Sequence, residues 1–120
     1  MKHQHPLGGD IQGMKLPISG HWYTIRMVDE FKGEDRQITG RVNHGTHEIE
    51  LFSKVPTSQM EEVLIHEVGH CFLYHYGHES DQRAKARIER ENTLDAFANG
   101  LYALGVGAFL MDKANKEAKP

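Results

Sequence analysis

From Trp22 to Val28, aromatic or aliphatic side chains alternate with polar ones, the period of a half-buried strand. After a polar connection at residues 31 to 36, a second strand is expected over Gln37 to Asn43 and a third over Thr46 to Ser53, with Asn43-His44-Gly45 as the hairpin turn between them. The period changes after Pro56. Val63, Leu64, Val68, Cys71 and Phe72 recur at helical spacing. Ser58 and Glu61 have the form of a capping box, and Gly77 offers a left-handed stop, so a helix is expected from about residue 57 to 76. A second helical pattern, marked by Leu94, Phe97, Ala98, Leu101 and Leu104, runs from about 87 to 111. Gly100, Gly105 and Gly107 lower its propensity, permitting either close packing or an end near Gly105.

The sum is an α+β domain over residues 21–111, with a small antiparallel sheet of about three strands on two main helices. Residues 1–20, punctuated by Pro6, Gly8, Gly9, Gly13, Pro17 and Gly20, read as an irregular arm in which His3 and His5 are solvated. Residues 112–120 read as a charged tail.

Composition narrows the classes. At 120 residues and 38% hydrophobic, the chain supports one thin core, to which a bound metal could contribute stability. A net charge of −3 gives no basic footprint for nucleic acid. The lone Cys71 excludes an internal disulfide, and no N-terminal stretch has the form of a signal sequence, so a cytoplasmic protein without membrane attachment is expected.

The chemistry is concentrated in His66-Glu67-Val68-Gly69-His70. On a helix, His66 and His70 are about 40° apart around the axis, so both imidazoles enter the same space and can chelate one ion. Glu67 lies roughly 100° from His66, placed to reach a water in the metal's open position as a general base.

A short motif of this kind needs a third ligand to mean anything. Glu91, inside the second helical pattern, can supply it, and Asp95, one turn along, can accept the free ring N–H of His66 or His70. The competing reading of Glu91 is a solvated helix carboxylate beside Glu89 and Arg90. His78 and Glu79, past the Gly77 turn, could fold back as weaker candidate ligands, His78 the better of the two; His75 points about 180° away from His66. The metzincin pattern is excluded, because Leu73 and Tyr76 stand where its Gly and His belong. Cys71, about 140° from His66, reads as a small buried apolar residue.

The stretch from Lys15 to about Leu110 resembles the ImmA/IrrE-type metallo-endopeptidases of phages and bacteria, small gluzincin-like proteins with an HExxH and a downstream Glu. The resemblance is carried by Tyr23 to Asp29, Gly40, Ile49-Glu50-Leu51, Leu64 to His70, and Glu91 through Leu101; the HExxH and Glu91-x-x-x-Asp95 portions are the specific ones. It implies a minimal zincin-like fold, one Zn2+ per chain on His66, His70 and Glu91, and Glu67 as catalytic base. No sensor or helix-turn-helix region of larger relatives is recognisable.

Zincin-type peptidases hold an extended substrate along a sheet edge above the zinc helix, and the third strand, His47, Glu48, Ile49, Glu50 and Leu51, is the candidate for that edge. The expected function is a zinc-dependent endopeptidase acting on a protein or peptide. The competing class is a zinc-binding regulatory protein with little turnover. The presence of Glu67 separates them, since a structural zinc site needs no base there.

Overall fold

The computed structural model describes residues 14–31 and 38–118, which form four strands and three helices. β1 (Met14–Ile18) and β2 (His21–Val28) form an antiparallel hairpin closed by Ser19 and Gly20, both at positive φ, 50° and 81°. That two-residue turn matches the right-handed twist of the flanking strands. Part of the expected N-terminal arm is therefore a strand. Met14, Leu16 and Ile18 are buried while Lys15 and Pro17 face outward, a period of two hidden by a proline tolerated at a sheet edge. Residues 1–13, with His3 and His5, lie outside the described residues.

β3 (Gly40–Asn43) and β4 (Glu48–Phe52) form the second hairpin, and Asn43 Oδ1 accepts from the amides of Gly45 and Thr46 at the turn. The sheet order is β1-β2-β4-β3, with β4 parallel to β2. The expected three-stranded antiparallel sheet is thus a four-stranded mixed one, and the expected edge moves. Glu48 to Leu51 belong to an interior strand, with His47 in the turn before it; β3 ends the sheet. The physical reason is burial: Ile49 and Leu51 are completely covered, and their strand gains a neighbour on each side.

α1 (Thr57–His75) and α3 (Val106–Ala118) cover one face of the sheet. Tyr23, Ile25, Ile49 and Leu51 pack there with Leu64, Val68 and Cys71 of α1 and Met111 and Ala114 of α3. Burying each large side chain contributes about 1.5–3 kcal/mol. α1 starts as expected, but without the capping box: Pro56 is its N-cap, and no side chain caps it. Glu61 is buried, with its carboxyl pushed up by that burial, and it is packed against Gly107, where a Cβ would lie 2.6 Å from the Glu61 Cβ. It is turned to α3 and does not reach back. Gly77, at φ 80°, ends α1 as expected.

The second helical pattern is two helices. α2 (Ala84–Ala103) meets α3 at Gly105, φ 83°, with a bend of 82°. The stretch expected as a charged tail continues α3 to Ala118, and Ala114 is fully buried. α2 packs mainly through Leu94 and Ala98, its only buried residues. Among the described residues no single helix is long and apolar enough to cross a membrane.

Candidate metal centre

α1 carries His66, Glu67 and His70 in its middle turns, and the two imidazole rings lie 4.9 Å apart between centroids. α2 is brought over them by Gly69. A Cβ there would sit 2.5 Å from Leu94 Cδ2, so the motif's glycine leaves room for Leu94 and for the carboxylates on either side of it, Glu91 and Asp95.

The side chains converge. His66 Nε2 lies 2.9 Å from Glu91 Oε2 and His70 Nε2 lies 2.8 Å from Glu91 Oε1, so one carboxylate spans both rings. The opposite ring nitrogens are also engaged: His66 Nδ1 is 2.9 Å from Asp95, and His70 Nδ1 is 2.5 Å from Glu79. His66, His70 and Glu91 offer ligand atoms within 4.8 Å of one another and could together hold a metal ion. The two imidazoles are largely covered, while the Glu91 side chain is 51% exposed, so the cluster opens toward solvent on the α2 side.

The donor set fits a divalent cation. Around a tetrahedral ion with bonds of about 2.0–2.1 Å the ligand atoms stand roughly 3.3 Å apart, a separation that side chains already within 4.8 Å of one another can reach by rotation. The electrostatics agree. Glu67, Glu79, Glu91 and Asp95 surround only two imidazoles, leaving negative charge even if both rings are protonated. Burial alone lowers the proton affinity of His70, but the hydrogen bond to Glu79 and the nearby Glu67 and Glu91 outweigh it and push the ring up to about 9. Glu67, 6% exposed, is pushed up to about 7 by burial and by the carboxylates of Glu91, Glu79 and Asp95, against the lowering pull of His70.

A cleft of about 500 Å³ opens above these groups. His66, Glu67 and His70 form its floor, Gly40, Arg41 and Val42 of β3 one wall, and Arg87 and Glu91 of α2 the other. Gly40 lets β3 pass close over α1: a Cβ there would lie 2.6 Å from Val63 Cγ1 and 3.2 Å from Glu67 Cγ. A neighbouring cavity of about 600 Å³ lies beside Arg87 and Glu91.

Of the two candidates past Gly77 the order is reversed: Glu79 returns to the site behind His70, while His78 is exposed and is not among the clustered ligand atoms. The reversal at Gly77 turns that carboxylate back over the last helical turns. One feature escaped the sequence, a separate histidine cluster. Tyr23 Oη bonds His75 Nε2 at 2.7 Å and His44 Nδ1 at 3.2 Å, His21 stacks on His75, and His44 stacks on Tyr74. Of the aromatic or histidine side chains near the end of α1, Tyr74 and His75 are spent in this cluster and Tyr76 is exposed; His44 reaches the cleft. Cys71 is fully buried, and burial pushes its thiol up to about 12, which fits a packing role. No family model matches the chain, and no curated protein and no solved structure is significantly similar to it.

Proposed function

We propose that the chain is a zinc-dependent endopeptidase with a zincin-like arrangement, of the kind its HExxH and downstream Glu resemble, working in the cytoplasm. The observation that carries this reading is the convergence of His66 Nε2, His70 Nε2 and Glu91 beside a buried carboxyl, Glu67, at the floor of an open cleft. A structural site would be closed by a fourth protein ligand and would need no acid there.

A Zn2+ held by His66, His70 and Glu91 would supply a Lewis acid for the scissile carbonyl and acidify the attacking water. The chain's own groups do the rest. Glu67, buried at the cleft floor beside the three ligands, would take a proton from that water and deliver it to the leaving amine. Asp95 and Glu79 hold the ring orientations of His66 and His70 from behind. β3, whose outer side no described strand covers, lies along the cleft and offers main-chain hydrogen bonds to an extended peptide. That gives the substrate edge to Gly40–Asn43 in place of the interior strand.

The test is zinc content and peptide cleavage in parallel. The wild-type chain should retain about one zinc through dialysis and cut a mixed peptide pool, and Glu67→Gln should retain the zinc while losing about 10²–10⁴-fold in rate. A zinc-loaded wild type that leaves every peptide in the pool intact overturns the enzymatic reading and favours a binding protein.

A further inference from the structure

The cleft is acidic at its floor, yet one wall carries a cation that no described residue pairs with. Among the described residues, Arg41, Arg87 and Arg90 line the cleft or the adjoining cavity. Arg41 is paired with Glu50, and Arg90 donates to the Asp81 carbonyl. Arg87 is different: among the described residues its guanidinium has no hydrogen-bond or ion-pair partner, although it lines both the cleft above the histidines and the adjoining cavity.

The reason lies in the spacing along α2. Arg87 stands one turn before Glu91, the separation at which an arginine and a glutamate ordinarily pair on a helix surface. Glu91 has committed both oxygens to His66 and His70, so its helical neighbour is left unpaired. The candidate metal ligand and the unpaired cation are therefore one turn, about 6 Å, apart on the same wall. A peptide lying along β3 would present its side chains across the cleft toward that wall.

We infer that Arg87 is a specificity residue that binds a carboxylate of the substrate close to the scissile bond, so that the favoured substrates are acidic peptides. This deepens the peptidase reading and rests on it. A planar guanidinium recognises a carboxylate through two parallel hydrogen bonds, and among the cleft residues only Arg87 has that capacity unspent. Without it, the carboxyl groups of Glu67, Glu79 and Glu91 would repel any anionic substrate. The carboxylate could belong to an Asp or Glu side chain or to the peptide's own C-terminus; both present the same chemistry.

Binding separates these sources and does not require turnover. Zinc-loaded Glu67→Gln, with and without Arg87→Gln or Arg87→Glu, is titrated with labelled peptides by fluorescence anisotropy. One arm compares Glu with Gln at each internal position under a blocked C-terminus; the other compares free and amidated C-termini on neutral peptides. With Arg87 present, one arm should show a preference for the carboxylate of about tenfold or more. Arg87→Gln should bring that ratio close to one, Arg87→Glu should shift preference to a Lys-containing peptide, and zinc content should stay constant in both. An equal ratio with and without Arg87, or no carboxylate preference in either arm, including no binding at all, overturns the inference. Failure of the peptidase reading shows separately, as absent cleavage by the zinc-loaded wild type.

Discussion

The fold holds two groups of histidines whose rings meet opposite surroundings. His66 and His70 face carboxylates on both ring nitrogens. His21, His44, His47 and His75 face mainly one another and Tyr23 and Tyr74, and among the described residues only His44 comes within 3.9 Å of an acid, Glu79. The difference appears in their affinity for positive charge. His70 is pushed up to about 9, whereas His44 and His75 are lowered, first by burial and then by neighbouring imidazoles. Histidine count alone does not make a metal site; the carboxylates placed behind and between the rings do.

The largest expected effect breaks the comparison by deletion. His70→Ala removes a donor from the convergent group and should weaken zinc binding more than 100-fold in a chelator competition, since even removing a supporting partner behind a ligand typically costs 10–100-fold. His75→Ala removes a ring from the other group and should leave zinc affinity within a few-fold. Equal losses in both variants would mean that the ion sits elsewhere.

A smaller effect is the opposite response of the groups to pH. In the metal-free chain, followed by NMR titration, the His70 imidazole should titrate near 9 and those of His44 and His75 below the usual 6.5. The signs for stability follow. A histidine raised in the folded state contributes stability that is complete below pH 6.5 and is lost as pH rises through about 9; Glu67, raised to about 7, acts the same way from about 4.5 upward. His44 and His75 contribute stability that is lost as pH falls through their lowered values. Glu79→Gln should bring the His70 titration down, because its hydrogen bond is the main cause that raises it. No movement in that variant would disprove the assigned cause.

What could be read from the chain divides along the same line. The convergent histidine pair and its carboxylate were legible because helix geometry fixes which residues share a face, at His66 and His70 on α1 and at Glu91 and Asp95 on α2. Asp95 does stand behind His66. Contacts that depend on chain reversals were legible only in part: Glu79 could be named as able to fold back past Gly77, but it ranked below His78. The parallel pairing of β2 with β4 joins residues that are far apart in sequence, and so moved the sheet edge from His47–Leu51 to β3. Glu79 and the Tyr23 histidine cluster likewise depend on where loops return. The break at Gly105 was visible as lowered propensity, but the packing of α3 on β1 and α1, which gives the second segment its place, was not.

The smallest expected effect tests whether close helix approach, more than ligand identity alone, sets the first group apart. Gly69→Ala adds a Cβ 2.5 Å from Leu94 Cδ2, the mobile end of a side chain, so Leu94 can rotate before α2 must move. Overpacking there costs on the order of 1 kcal/mol and the gain in helix propensity returns about as much, leaving Tm nearly unchanged. Zinc affinity should still fall several-fold, because the displaced Leu94 lies between Glu91 and Asp95. Gly100→Ala on the same helix meets nothing within 4 Å, so it should raise Tm and leave the metal untouched. If both alanines leave zinc affinity alike, the cluster tolerates movement of α2, and its selectivity over the second histidine group comes from the carboxylates alone.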